Sequence, residues 1–188
     1  MSFADAVVSG FRNYFNFRGR ASRSEFWYWF LFTVLISIVA TTIESVLWPV
    51  PVVQDEWQQL QNSLAQPTPL TNILGIALLV PNLSITARRF HDAGFSAKWL
   101  FLQLIPIAYG VFAAIGAISI LSSAGGLLAL STEDLMSLVF LVIPIFGLFL
   151  AVLVIYLVFA LKPSRSFYDG NKYVEPENPA SLQDGTTA

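Results

Sequence analysis

Four long apolar stretches dominate the chain, and shorter polar segments separate them. They cover residues 26–47, 70–87, 99–121 and 135–161. A helix needs roughly 20 apolar residues to cross a bilayer, and each stretch is close to that length. The second is the least apolar because it contains Asn72, Pro81 and Asn82, and the last is long enough to need tilt or a kink at Pro144. The pattern predicts an all-α, polytopic membrane protein with four transmembrane helices.

Two shorter segments have the pattern of interfacial helices. A helix near the start, over residues 2–13, begins at a capping Ser2 and would place four large side chains on one face: Phe3, Val7, Phe11 and Tyr14. Such a helix suits the surface of a membrane. Between the first two stretches, three apolar residues at helical spacing predict a second short helix: Trp57, Leu60 and Leu64.

The same pattern divides the chain into three parts. Residues 1–25 hold the interfacial helix and an arginine-rich segment, residues 26–161 form the four-helix transmembrane domain, and residues 162–188 form a polar tail. The tail contains three prolines, so we expect it to fray and to be partly disordered.

Charge sharpens this picture. Of the 188 residues, 55% are hydrophobic and only 12% are charged, too few charges for a soluble domain of this size. All ten basic residues lie before the first stretch, between the second and third, or after the fourth: Arg12, Arg18, Arg20, Arg23, Arg88, Arg89, Lys98, Lys162, Arg165 and Lys172. Four spans place these segments on one side. The positive-inside rule makes that side cytoplasmic, with both termini inside.

Composition excludes several kinds of chemistry. The chain has no cysteine and a single histidine, which rules out thiolate or multi-histidine metal sites and a bis-histidine haem within one chain. A net charge of −2 argues against nucleic-acid binding. No phosphate-binding loop, hydrolase nucleophile motif or zinc-protease motif is present. We therefore predict neither a cofactor nor a metal, and no enzymatic activity.

The first charged motif is F-x-G-R-x-x-R-x-E-F-W, residues 17–27. The first variable position of this motif is Arg18. The segment therefore brings together four charged side chains before the first apolar stretch: Arg18, Arg20, Arg23 and Glu25. The arginines would orient the chain and contact anionic lipid headgroups. The alternative is that they grip a phosphate or carboxylate ligand. Ser22 or Ser24 would cap the helix that follows.

The second motif is A-R-R-x-H-D-x-G-x-S-x-x-W, residues 87–99, in what we expect to be a short loop between the second and third spans. Four of its residues are candidates for binding a headgroup or partner: Arg88, Arg89, His91 and Asp92. Neighbouring His91 and Asp92 suggest an acid–base pair, but a lone loop histidine is more often structural. The structural alternative is that an arginine of this motif pairs with Glu25 or Asp92, because an unpaired charge in a membrane is costly.

Polar and small residues inside the spans leave two further alternatives. Pro81, Asn82 and Gln103 would either line a cavity or join helices to each other. The third span carries a face of small residues suited to close helix packing or self-association: Gly110, Ala113, Ala114, Gly116 and Ala117. Glu44 falls near the outer interface.

The two charged motifs, together with G-N-x-Y at residues 170–173, resemble the bacterial inner-membrane family catalogued as domain of unknown function 805. The resemblance implies a small, multi-pass protein of the bacterial inner membrane. It brings no assigned activity, and therefore no catalytic residue is carried over.

Three functions are compatible with these residues. The first is a non-enzymatic accessory subunit that binds a protein partner, or a homo-oligomer, in the membrane. The second is a small transporter or channel for an ion or small anion, suggested by Asn82 and Gln103. The third is an enzyme acting on an anionic headgroup, with His91 and Asp92 as base. The missing catalytic motifs favour the first.

Overall fold

A computed structural model describes residues 1–125 and 129–174, and all the regular structure in these ranges is helical. The helices in chain order are α1 (Phe3–Arg12), α2 (Arg23–Leu47), α3 (Glu56–Leu64), α4 (Pro69–Asp92), a 3₁₀ helix (Ala97–Gln103), α5 (Leu104–Ala124) and α6 (Thr132–Leu161). The predicted disorder of the tail falls largely on residues 175–188, which lie outside the described residues.

Four helical segments are long and apolar enough to cross a membrane: Arg23–Leu47, Pro69–Asp92, Ala97–Ala124 and Thr132–Leu161. The predicted all-α fold with four membrane-spanning helices is therefore confirmed. One boundary differs in a way that matters. Helix α4 continues past Ala87 to Asp92, so Arg88, Arg89 and Asp92 lie at its C-terminal end and not in a loop, while Lys98 lies in the 3₁₀ helix.

Serine side chains begin three of the helices. Ser2 and Asp5 form the capping box of α1, Ser22 accepts a hydrogen bond from the Glu25 N–H at the start of α2, and Ser131 caps α6. Each hydroxyl accepts from one of the free N–H groups of a first helical turn. Between the serine alternatives for α2, the structure selects Ser22.

The long helices pack as two pairs. Helix α2 lies against α4, and α5 lies against α6. The small-residue face of α5 serves the second pair: Ala113 is buried, Gly116 faces the Leu141 side chain, and the Tyr109 hydroxyl donates to the Leu141 carbonyl at 3.2 Å. Ala113 and Gly116 thus serve helix packing within the chain, whereas nothing lies within 4 Å of a Cβ at Gly110 and Ala114 is exposed, so self-association stays a prediction. The pairs meet where α4 and α6 end.

At the opposite end, Glu44 completes the start of α4. It is 1% exposed and accepts from the Thr71 N–H at 2.9 Å and from the Thr71 hydroxyl at 2.6 Å. The residue at the N-terminus of α4, Thr68, makes no side-chain capping bond. A carboxylate on α2 therefore provides the cap that α4 lacks, which explains a buried acid without invoking ion binding.

Helix α1 lies across α2 and α4 and touches α2 through a glycine. The Trp29 side chain is 2% exposed, and a Cβ at Gly10 would come within 2.0 Å of its ring. The Phe11 ring packs edge-on against Trp29 at 5.2 Å between centroids, and the Tyr14 hydroxyl donates to the Ala77 carbonyl at 2.5 Å. Only a residue without a side chain permits this approach.

We expect Gly10→Leu to displace α1 and to lower the free energy of unfolding by about 2–3 kcal/mol, because overpacking forces backbone shifts. Gly147→Leu is the matched control, since nothing lies within 4 Å of a Cβ at that helical position. Thermal unfolding in detergent, followed by circular dichroism, measures both. Equal stability of the two variants would contradict the close α1–α2 contact.

Candidate functional site

The charged end of the bundle is the end where α2 begins and where α4 and α6 end. Three chain segments meet there: residues 17–27, residues 88–99 and residues 160–174. Backbone hydrogen bonds join them. The Ala21 N–H donates to the Arg88 carbonyl at 3.1 Å, and the Arg165 N–H donates to the Asp92 carbonyl at 2.9 Å. Both bonds end on the last turn of α4, where carbonyls lack helical partners.

Asp92 is the centre of the first ion-pair cluster. Its side chain is 4% exposed, and one oxygen accepts from the Nε and Nη2 atoms of Arg20 at 2.8 and 2.6 Å. The other oxygen accepts from Arg89 and from the Ser164 hydroxyl. One carboxylate therefore joins the segment before α2, the end of α4 and the segment after α6. Both of its oxygens are occupied.

Arg89 is completely buried and joins α4 to α6. Besides Asp92, its guanidinium donates to the carbonyl of Ala160 at 3.0 Å and to the carbonyl of Lys162. These carbonyls belong to the end of α6, where the helix supplies no N–H donors for them and its dipole favours a cation. Arg89 is a C-cap for α6 supplied by another helix.

The second cluster is built on Glu25. Its Oε1 accepts from the Arg88 guanidinium at 2.8 Å and from the Ser9 hydroxyl at 2.8 Å, joining α2, α4 and α1. Both charged side chains are less than 10% exposed. Arg88 Nε is buried with no hydrogen-bond partner among the described residues. The prediction that Arg88 or Arg89 pairs with Glu25 or Asp92 is confirmed, and the structure assigns Arg88 to Glu25 and Arg89 to Asp92.

His91 and Asp92 point to different neighbours and do not form the suggested acid–base pair. His91 Nδ1 lies 3.3 Å from the Gly19 carbonyl, and the ring stacks on Tyr173 with centroids 4.0 Å apart. Asn171 is buried and donates its amide to the carbonyls of His91 at 3.0 Å and Arg165 at 3.1 Å. These contacts come from the G-N-x-Y element, so the tail up to residue 174 packs against α4 and does not fray.

Aromatic rings and a turn complete the charged end. Gly94 of the second motif has φ +85° and follows the Ala93 C-cap of α4, as expected of a glycine at a helix C-terminus, while Ser96 caps the 3₁₀ helix that leads into the third span. The Phe95 ring stacks on Phe159 of α6 at 3.9 Å between centroids, and Lys162 Nζ lies 4.6 Å from the Phe95 ring centre. Apolar packing thus surrounds the buried ion pairs.

Three of the eight candidate residues stay outside the two ion-pair clusters: His91, whose neighbours are given above, Arg18 and Arg23. The side chains of Arg18 and Arg23 are exposed and make no ion pair within the described residues. The sequence reading also missed Ser9, Ser164 and Asn171, which carry no charge to draw attention. Only Asn171 left a signal, through its place in the G-N-x-Y element.

The clusters hold helices together more readily than they hold a ligand. Asp92 accepts hydrogen bonds from two arginines and a serine, and Glu25 accepts from Arg88 and Ser9. The Arg89 guanidinium donates to Asp92 and to two backbone carbonyls. Within residues 1–125 and 129–174, no group of histidine and carboxylate side chains could hold a metal ion.

Four apolar helices fastened at one end by buried ion pairs define a multi-pass helical membrane protein with a structural charged motif. The chain belongs to the family described as protein of unknown function (DUF805), whose pattern matches residues 14–173. It is 34% identical to the inner membrane protein YhaH of Escherichia coli K12 over 102 residues, 54% of this chain and 74% of YhaH. It is 31% identical to the inner membrane protein YhaI of the same strain over 99 residues, 53% of this chain and 70% of YhaI. No solved structure matches the chain.

Proposed function

We propose that this chain is a non-enzymatic accessory subunit of the inner membrane that binds a transmembrane helix of another protein. The observation that carries the proposal is a hydroxyl-lined groove between α2 and α4, open to the lipid along the membrane-spanning part of both helices. No helix of the described residues covers it.

The groove has a volume of about 630 Å³. On α2 its wall includes hydroxyl residues at every fourth position: Thr33, Ser37, Thr41 and Ser45. Spacing of four puts these side chains on one face of a helix. On α4 the wall includes Thr71, Gly75 and Asn82. Small and polar residues let two membrane helices approach closely and form hydrogen bonds. A surface that only contacts lipid tails does not need them, because leucine serves equally well there.

The hydroxyl groups that line the groove already donate hydrogen bonds within their own helix, so an empty groove leaves no hydroxyl donor unsatisfied at Thr33 or Ser37. Thr33 donates to the Phe30 carbonyl and Ser37 donates to the Thr33 carbonyl, both at 2.7 Å. Their oxygen lone pairs still accept, so a helix in the groove gains close packing and added hydrogen bonds. Such bonds contribute about 0.6–2 kcal/mol each in membranes. The partner that fits is a helix with small residues on one face.

Two further features support a role without catalysis and a defined orientation. The buried carboxylates of the charged end are occupied by arginines, which leaves them poor general bases. The segments that carry all ten basic residues lie before α2, at the end of α4 and after α6, which favours cytoplasmic termini. Arg18 and Arg23 are exposed at that end, which supports the proposal that they contact anionic headgroups.

A photo-crosslinking residue at Thr41 tests the groove in native membranes. We expect a discrete protein adduct from Thr41, and none from the same residue at Phe146, which is 72% exposed on α6. Gly75→Leu fills the groove and should abolish the adduct, while Gly147→Leu should leave it; neither position has an atom within 4 Å of a new Cβ. Identical adducts from Thr41 and Phe146, or an adduct unaffected by Gly75→Leu, would exclude the groove as a helix-binding site.

Transport is the alternative suggested by Asn82 and Gln103. Asn82 accepts from Trp29 Nε1 at 2.7 Å, which joins α4 to α2, and it also lines the groove between them. Gln103 lines a different cavity, between α4 and the start of α5. The two amides therefore line separate cavities and not one shared polar path, which favours the accessory role. Ion or anion flux in liposomes containing the purified chain would revive the transport alternative.

A further inference from the structure

A second cavity lies on another side of the molecule, where the two helix pairs diverge between α4 and the start of α5. Its volume is about 580 Å³, within the range of small-molecule sites. Leu79 and Leu83 of α4 form one wall, and Leu104 and Ile107 of α5 form the other. The cavity shares no lining residue with the groove between α2 and α4. Whatever binds there is independent of a helix bound to the groove.

Polarity changes along the length of this cavity. Three of its polar lining residues, His91, Ser96 and Lys98, lie at the charged end, and a fourth, Gln103, lies at the end of the 3₁₀ helix. Its apolar residues extend as far as Leu79, about 18 Å from His91 along the axis of α4. One end therefore suits a polar headgroup at the membrane surface, and the rest suits a hydrocarbon chain.

Lys98 gives the polar end a net positive charge. The three ion pairs among the described residues use Arg20, Arg88 and Arg89, and they occupy Glu25 and Asp92. The remaining described acids at this end accept from serines: Asp5 from Ser2, and Asp169 from Ser166. Lys98 is exposed and has no carboxylate partner in that part of the chain.

We propose that the cavity is a binding site for one anionic phospholipid, with an acyl chain between α4 and α5 and the headgroup phosphate at Lys98. The charge selects an anion, and the apolar walls select a chain. Ser96 also lines this end of the cavity, and its hydroxyl can donate to a phosphate oxygen. An ordinary boundary lipid would need neither the enclosed wall nor the unpaired cation.

Native mass spectrometry of the delipidated full-length protein tests the site, with phosphatidylglycerol and phosphatidylcholine of equal chain length as probes. We expect phosphatidylglycerol to bind about fivefold more tightly, the effect of one lysine near a membrane surface. Lys98→Gln should remove this preference and leave phosphatidylcholine binding unchanged. Arg12→Gln removes an exposed cation on α1 and should keep the preference.

Substitutions that fill the cavity test its apolar wall independently of the headgroup contact at Lys98. Ile107→Trp should abolish retention of both lipids, and Leu83→Trp repeats the test from the opposite wall should one variant fail to fold. Leu153→Trp is the matched control, because Leu153 and Ile107 are both 54% exposed. Lipid retained equally by Ile107→Trp and Leu153→Trp would overturn the site. So would a phosphatidylglycerol preference that survives Lys98→Gln.

Discussion

Asp92→Asn should destabilise the folded protein by about 3–5 kcal/mol, the largest effect expected of any single substitution at the charged end. The completely buried Arg89 would lose its carboxylate partner, the only one within residues 1–125 and 129–174. An asparagine keeps the shape of the side chain and can accept from Ser164, but it does not compensate a buried positive charge. Fluorescence-detected gel filtration of detergent extracts, with a thermal ramp, measures the folded fraction and its stability.

The control for Asp92 is Asp169→Asn at the same end. Asp169 is exposed, and hydrogen bonds from the backbone and hydroxyl of Ser166 lower the pKa of its carboxyl without any buried cation depending on it. Its loss should change stability by less than about 1 kcal/mol. Combining Asp92→Leu with Arg89→Met removes both buried charges and should recover part of the lost stability. A double variant less stable than Asp92→Leu alone would show that Arg89 does not depend on Asp92.

Arg88→Ala is the second large effect, expected to be about 3 kcal/mol because it leaves the Glu25 carboxylate buried with only the Ser9 hydroxyl as donor. Lys172→Ala removes an exposed cation whose contact is the Tyr173 ring, and it should reduce folded yield far less. Arg20→Ala should fall between them, since the Arg20 side chain is 33% exposed and Asp92 keeps Arg89. The folded yield after membrane extraction ranks the three variants.

A double-mutant cycle isolates the Arg88–Glu25 pair from the packing of the arginine side chain. Glu25→Gln, Arg88→Met and their combination are compared by unfolding temperature in one detergent. A double variant nearly as stable as the better single variant means that the two side chains are coupled. Additive losses would place them in separate interactions, contrary to the 2.8 Å contact.

The fold was accessible from sequence because lipid imposes a simple rule. Apolar length alone defines a membrane-spanning helix, and each of the four predicted stretches overlaps a helix that meets it. An unpaired charged side chain in an apolar environment is energetically costly, so Arg88 and Arg89 are expected to pair with a carboxylate. Glu25 and Asp92 are the predicted partners.

What the sequence did not reveal depends on where chain segments meet. Hydropathy falls at Arg88, which predicts that the second span ends there. In the structure, α4 continues to Asp92 because its last residues are buried against neighbouring segments. The tail after α6 is polar and rich in proline, yet the Asn171 amide contacts the carbonyls of His91, Asp92 and Arg165. No local sequence pattern predicts these contacts. A partner supplied from a distant segment leaves no periodic signal.

The position of the tail sets an order of events during synthesis. The carbonyls that Arg89 binds and the amide that contacts His91 lie at residues 160–171, the last described part of the chain to leave the ribosome. Until then, Asp92 has Arg20 and Arg89 as partners, but Arg89 lacks the two carbonyls at the end of α6. A chain interrupted before residue 160 would thus leave the buried arginine of α4 with part of its hydrogen bonds missing.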